Sequence, residues 1–64
     1  MKYYFVSYNY IDRKDSGVGR LFFQWNGPFI LETIEKTIAD EIRHEQVLIS
    51  YYKEITKEEF KLNS

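Results

Sequence analysis

Residues 2–11 constrain the fold more than any other stretch. They alternate as a β-strand yet carry apolar or aromatic side chains on both sides. Tyr4, Val6, Tyr8 and Tyr10 fall on one side; Tyr3, Phe5, Ser7, Asn9 and Ile11 fall on the other. An amphipathic edge strand would show one polar side. A strand apolar on both belongs in the middle of its sheet, covered above and below.

The rest of the chain must supply the neighbours and the cover. Asp12, Arg13, Lys14, Asp15, Ser16 and Gly17 form a polar turn. A second strand-like run, residues 18–25, sends Leu21, Phe23 and Trp25 to one face and Val18, Arg20, Phe22 and Gln24 to the other. The two runs predict a β-hairpin with a charged tip. Asn26, Gly27 and Pro28 then break the strand, with Pro28 near the first helical position, where a missing N–H is harmless. Ile30, Leu31, Ile34, Ile38 and Ile42 share an arc of roughly 120° on a helical wheel, opposite Glu32, Glu35, Lys36 and Asp40. That spacing predicts a helix over residues 29–43. A third strand follows over residues 46–54. Thr56 and Glu59 then make a capping box for a short helix to residue 62, with Phe60 free to pack back.

A right-handed return across the sheet puts the third strand beside the first. The expected fold is therefore α+β, a ββαβ(α) chain with a three-stranded antiparallel sheet in the order 2-1-3. One main helix lies on one face, and the whole forms a single domain over residues 1–64. At 64 residues such a domain buries only roughly 60% of the surface of its unfolded chain. Small domains offset this with disulfides, a structural metal or self-association. Cysteine is absent and the one histidine, His44, has no ligand set around it in sequence, so self-association as a homodimer is the remaining remedy.

One long helix covers one face, so the other face should expose an apolar row. Two rows fit the alternation: Tyr3, Phe5, Phe22, Leu48 and Tyr52, or Tyr4, Tyr8, Trp25 and Tyr51. Either would be an interface, unless the terminal helix folds over it. An aromatic sheet face also suits single-stranded nucleic acid. The net charge of −1 argues against that partner, since phosphate contacts need clustered cations. Arg13, Lys14 and Arg20 around Gly17 and Gly19 are the candidate phosphate-binding residues, through backbone N–H groups. The competing account is a hairpin that needs its glycines for the turn and its charges for solubility.

No catalytic constellation is present: serines are sparse, and nothing in sequence places a nucleophile beside His44. Glu41 and His44 have the Glu-x-x-His spacing of di-iron bundles, but those sites need two such motifs and four helices. His44 reads instead as a cation at a helix C-terminus. The expectation is a non-enzyme with no cofactor and no metal. No run approaches the ~20 apolar residues of a membrane span, and the opening residues read as a strand and not a secretory leader, so the expected location is cytoplasmic.

Residues encoded by AT-rich codons far outnumber those encoded by GC-rich ones, which suits a low-GC bacterium or a phage living in one. Residues 47–60 (VLISYYKEITKEEF) and 2–8 (KYYFVSY) resemble the ends of small phage and mobile-element proteins. That resemblance implies a compact dimer that inhibits host defence, by plugging a host protein or by sequestering a nucleotide messenger at a dimer interface.

Overall fold

The computed structural model describes residues 1–63. Three strands, β1 (Lys2–Ile11), β2 (Ser16–Trp25) and β3 (Gln46–Ile55), make one antiparallel sheet in the order β2-β1-β3. Helix α1 (Leu31–Ile42) joins β2 to β3, and α2 (Lys57–Asn63) ends the described chain. The two-sided apolar strand is central, as its pattern predicts.

Packing follows from that placement. Val6, Ile34 and Ile38 are fully buried, and Tyr4, Tyr8, Phe23, Ala39 and Val47 complete the core between α1 and one face of the sheet. The helix begins later than its sequence suggests. Gly27 takes φ +118°, a conformation that favours glycine, and the Trp25 indole donates to the Pro28 carbonyl at 3.0 Å. Phe29 then stacks on Tyr52 at 4.2 Å and packs on Tyr4 at 4.6 Å. These contacts hold residues 26–30 as a linker and make Ile30, in extended conformation, the N-cap. Ile30 and Leu31 are consequently exposed, and the buried part of the stripe starts at Ile34. Arg43 ends the helix in the left-handed region at φ 61°, and the His44 N–H closes the last turn on the Ala39 carbonyl at 3.0 Å. The capping box forms as expected. Glu59 N–H donates to Thr56 Oγ1 and Thr56 N–H to Glu59 Oε1, both at 3.1 Å.

Pairing of β1 with β2 is unbroken from Lys2 opposite Trp25 to Ile11 opposite Ser16. Pairing with β3 is not. Ser7 faces Tyr51 while Tyr8 faces Ile49, so Ser50 is an extra residue in a β-bulge. Its hydroxyl donates to the Ser7 carbonyl at 3.1 Å and lies 3.3 Å from Ser7 Oγ. One inserted residue reverses the facing of everything beyond it relative to simple alternation. Val47 and Ile49 face α1, but so does Tyr52; Leu48 faces away, and so does Tyr51.

Gly17 and Gly19 lie within β2 and not in the turn, opposite Tyr10 and Tyr8. The tyrosine rings lie across the glycines: a Cβ on Gly19 would come 2.5 Å from the Tyr8 hydroxyl, and one on Gly17 2.6 Å from that of Tyr10. A bare backbone is what lets these rings lie flat over the neighbouring strand.

Candidate interaction surface

The face away from α1 is built from alternate residues of all three strands. Phe5 is its centre, 5.4 Å by ring centroid from Phe22 on β2 and 6.4 Å from Tyr51 on β3. Further along the strands aliphatic side chains flank the neutral Asn9, which lies opposite both Val18 and Leu48. Ile11, Val18, Leu48 and Tyr51 are 46, 77, 43 and 55% exposed. Helix α2 reaches only one end, where Phe60 packs on Tyr3 at 4.9 Å. The terminal helix thus covers the Tyr3 end and leaves the remainder open.

Of the two rows allowed by alternation, the first lies on this open face in four of its members: Tyr3, Phe5, Phe22 and Leu48. Tyr52 does not. The Ser50 bulge turns it to the helix side, against Phe29, and brings Tyr51 to the open side in its place. The second row is divided. Tyr4 and Tyr8 are core residues, Trp25 is half-buried on the helix side, and only Tyr51 faces outward.

The candidate phosphate residues do not converge. Arg13 and Lys14 sit at the hairpin tip, whereas Arg20 lies opposite Ser7 on the open face. The glycines that were to offer backbone N–H groups are covered by Tyr8 and Tyr10. At the tip a groove of about 410 Å³ is lined by Arg13, Lys14 and Arg43, with Asp12, Asp15 and Glu45 interspersed. Its signs are balanced, which removes the electrostatic preference for an anion. A second groove of about 310 Å³ runs along β3 beside Leu31 and Tyr52.

His44 has partners distant in sequence. Its Nδ1 lies 2.6 Å from Asp12 Oδ2, and its ring stacks on Tyr10 at 3.9 Å with only 9° between planes. Asp12 Oδ1 accepts the Glu45 N–H at 2.7 Å, and the Arg13 N–H donates to Glu45 Oε1 at 3.2 Å. The hairpin tip is thereby tied to the turn between α1 and β3. No group of three metal-ligating side chains exists among the described residues, and Glu41 has no role in this cluster.

The Glu45 N–H, and after it the His44 ring, hold the Asp12 carboxyl below its ordinary value of 3.8. A depressed folded-state pKa means that the carboxylate stabilises the fold above pH 3.8, and that this contribution is lost as pH falls through the lower folded value. Denaturant midpoints measured down through this range should fall more steeply for the wild type than for Asp12→Asn. Parallel curves would show that the tie contributes nothing.

No helix among the described residues is long and apolar enough to cross a membrane. Compared with family models, curated proteins and solved structures, the chain matches none.

Proposed function

We propose that the chain is a non-catalytic protein-interaction module that pairs with a second copy and presents its open sheet face to a target. The uncovered row from Phe22 through Phe5 and Tyr51 to Leu48 carries this reading, because monomeric soluble proteins rarely leave contiguous apolar surface without a use. The concrete version favoured by the residue usage and by the resemblance of both chain ends is a phage-encoded inhibitor of a host defence protein, acting in the host cytoplasm. A nucleotide sponge has less support, since Arg13 and Lys14 lie apart from Arg20.

The second copy has one favourable place to join. Strand β3 is an interrupted edge: it is bulged at Ser50, lies along α1, and has the Ile49 N–H taken by Glu35 Oε2 at 2.7 Å. Strand β2 is a regular edge without proline or bulge. Such an edge is a template for strand addition. The hairpin bond from Asp12 N–H to the Asp15 carbonyl sets the alternation, in which Val18 turns its backbone N–H away from β1. Proline at that position blocks addition while sparing the β1 ladder.

Sedimentation equilibrium at micromolar concentration should therefore give a dimer for the wild type and a folded monomer for Val18→Pro. A wild-type monomer over that range would overturn the β2 pairing.

A further inference from the structure

We infer that the open face receives an acidic, apolar segment of a different protein, anchored by a carboxylate on Arg20. This deepens the interaction-module reading and rests on it.

The charges on this face are of one sign. Among the side chains that the three strands turn away from α1, only Arg20 and Lys53 are charged, and no aspartate or glutamate accompanies them. The chain as a whole is acidic by one unit, so its carboxylates are segregated elsewhere. Neither cation forms an ion pair among the described residues. Lys53 lies near enough to α2 for its field to help hold the Glu59 carboxyl low, after the larger effect of the Thr56 hydrogen bonds. Arg20 has no such neighbour. It stands opposite Ser7, between the aromatic cluster of Phe5, Phe22 and Tyr51 and the aliphatic end at Val18 and Leu48. An exposed arginine flanked along its strand by Phe22 and Val18, with only the neutral Ser7 and Asn9 as polar neighbours on β1, is suited to anchoring an interface, because a partner's carboxylate is sheltered from water as the surrounding contacts close.

Two other occupants fit less well. A second copy packed face to face brings two cations and no carboxylate, so this face does not complement itself. Single-stranded nucleic acid needs several clustered cations and rings that lie open for stacking. Here two cations are available, the rings are tilted against one another by 54° and 57°, and Glu58 and Glu59 are carried by the helix at one end.

The test uses three fluorescent probes on the intact chain: an amphipathic peptide of leucines and glutamates, its lysine-for-glutamate counterpart, and oligo-dT. The glutamate peptide should bind and weaken as salt rises, and should lose more than about tenfold in affinity to Arg20→Gln and more again to Arg20→Glu. Circular dichroism verifies that both variants are folded, and sedimentation of each reports the β2 pairing separately. Equal binding of the lysine peptide, preference for oligo-dT, no binding of the glutamate peptide, or full affinity in folded Arg20→Glu would each overturn the assignment.

Discussion

Gly19→Val destabilises the protein severely and Gly17→Val less, although both add the same β-branched side chain to the same strand. On propensity alone, replacing a strand glycine stabilises by roughly 0.5–1 kcal/mol, because glycine loses most freedom on folding. Space reverses the sign. A Cβ at Gly19 meets the Tyr8 hydroxyl at 2.5 Å and two of its ring carbons at 2.6 and 3.0 Å. Tyr8 is a core residue with 9% of its surface exposed, so its ring has nowhere to retreat without displacing its neighbours in the core. Overpacking of this sort costs about 1–3 kcal/mol, occasionally more. Tyr10 over Gly17 is only half-buried and can swing outward at the expense of its stack on His44. Thermal denaturation of the two variants side by side checks the order. Equal melting temperatures would mean that burial of the covering ring is irrelevant.

Ile38→Ala lowers stability by about 2–5 kcal/mol, through lost burial and the cavity left behind. Ile38 has no exposed surface and faces the sheet from the middle of α1. In a domain of this size the effect is large against a total near the lower end of the usual 5–15 kcal/mol. The melting temperature should fall on the order of 10 °C or more. Leu31→Ala, at the exposed start of the same helix, is the comparison and should shift far less. Similar losses in both variants would place the core elsewhere.

The architecture was legible because its decisive residues signal locally. Tyr4, Val6 and Tyr8 alternating with Tyr3 and Phe5 require a central strand, and the Ile34–Ile38–Ile42 spacing requires a helix across it. The face composition was legible only up to Ser50. A bulge leaves no mark in an alternating string, and two adjacent tyrosines fit either parity. What sets it is a serine pair 43 residues apart. The Asp12–His44 tie, 32 residues apart, is hidden for the same reason. The covered glycines did leave a trace. Tyr8 and Tyr10 are two residues apart, as are Gly17 and Gly19, and a hairpin closing at Asp12 and Asp15 brings the pairs opposite each other. Glycines read only as turn-formers conceal that match.

Glu35 on the backbone of Ile49 has a consequence for how far assembly can run. Growth into a fibril requires every added subunit to offer a fresh template after consuming one. Here one side of the sheet is regular and the other is interrupted by the bulge at Ser50 and by the glutamate on the Ile49 N–H. If copies pair through β2 as proposed, addition there uses the regular edge of each copy, and further growth would have to start from the interrupted one. In that arrangement a single carboxylate and one inserted serine would set the limit of assembly for a molecule with this much aromatic surface.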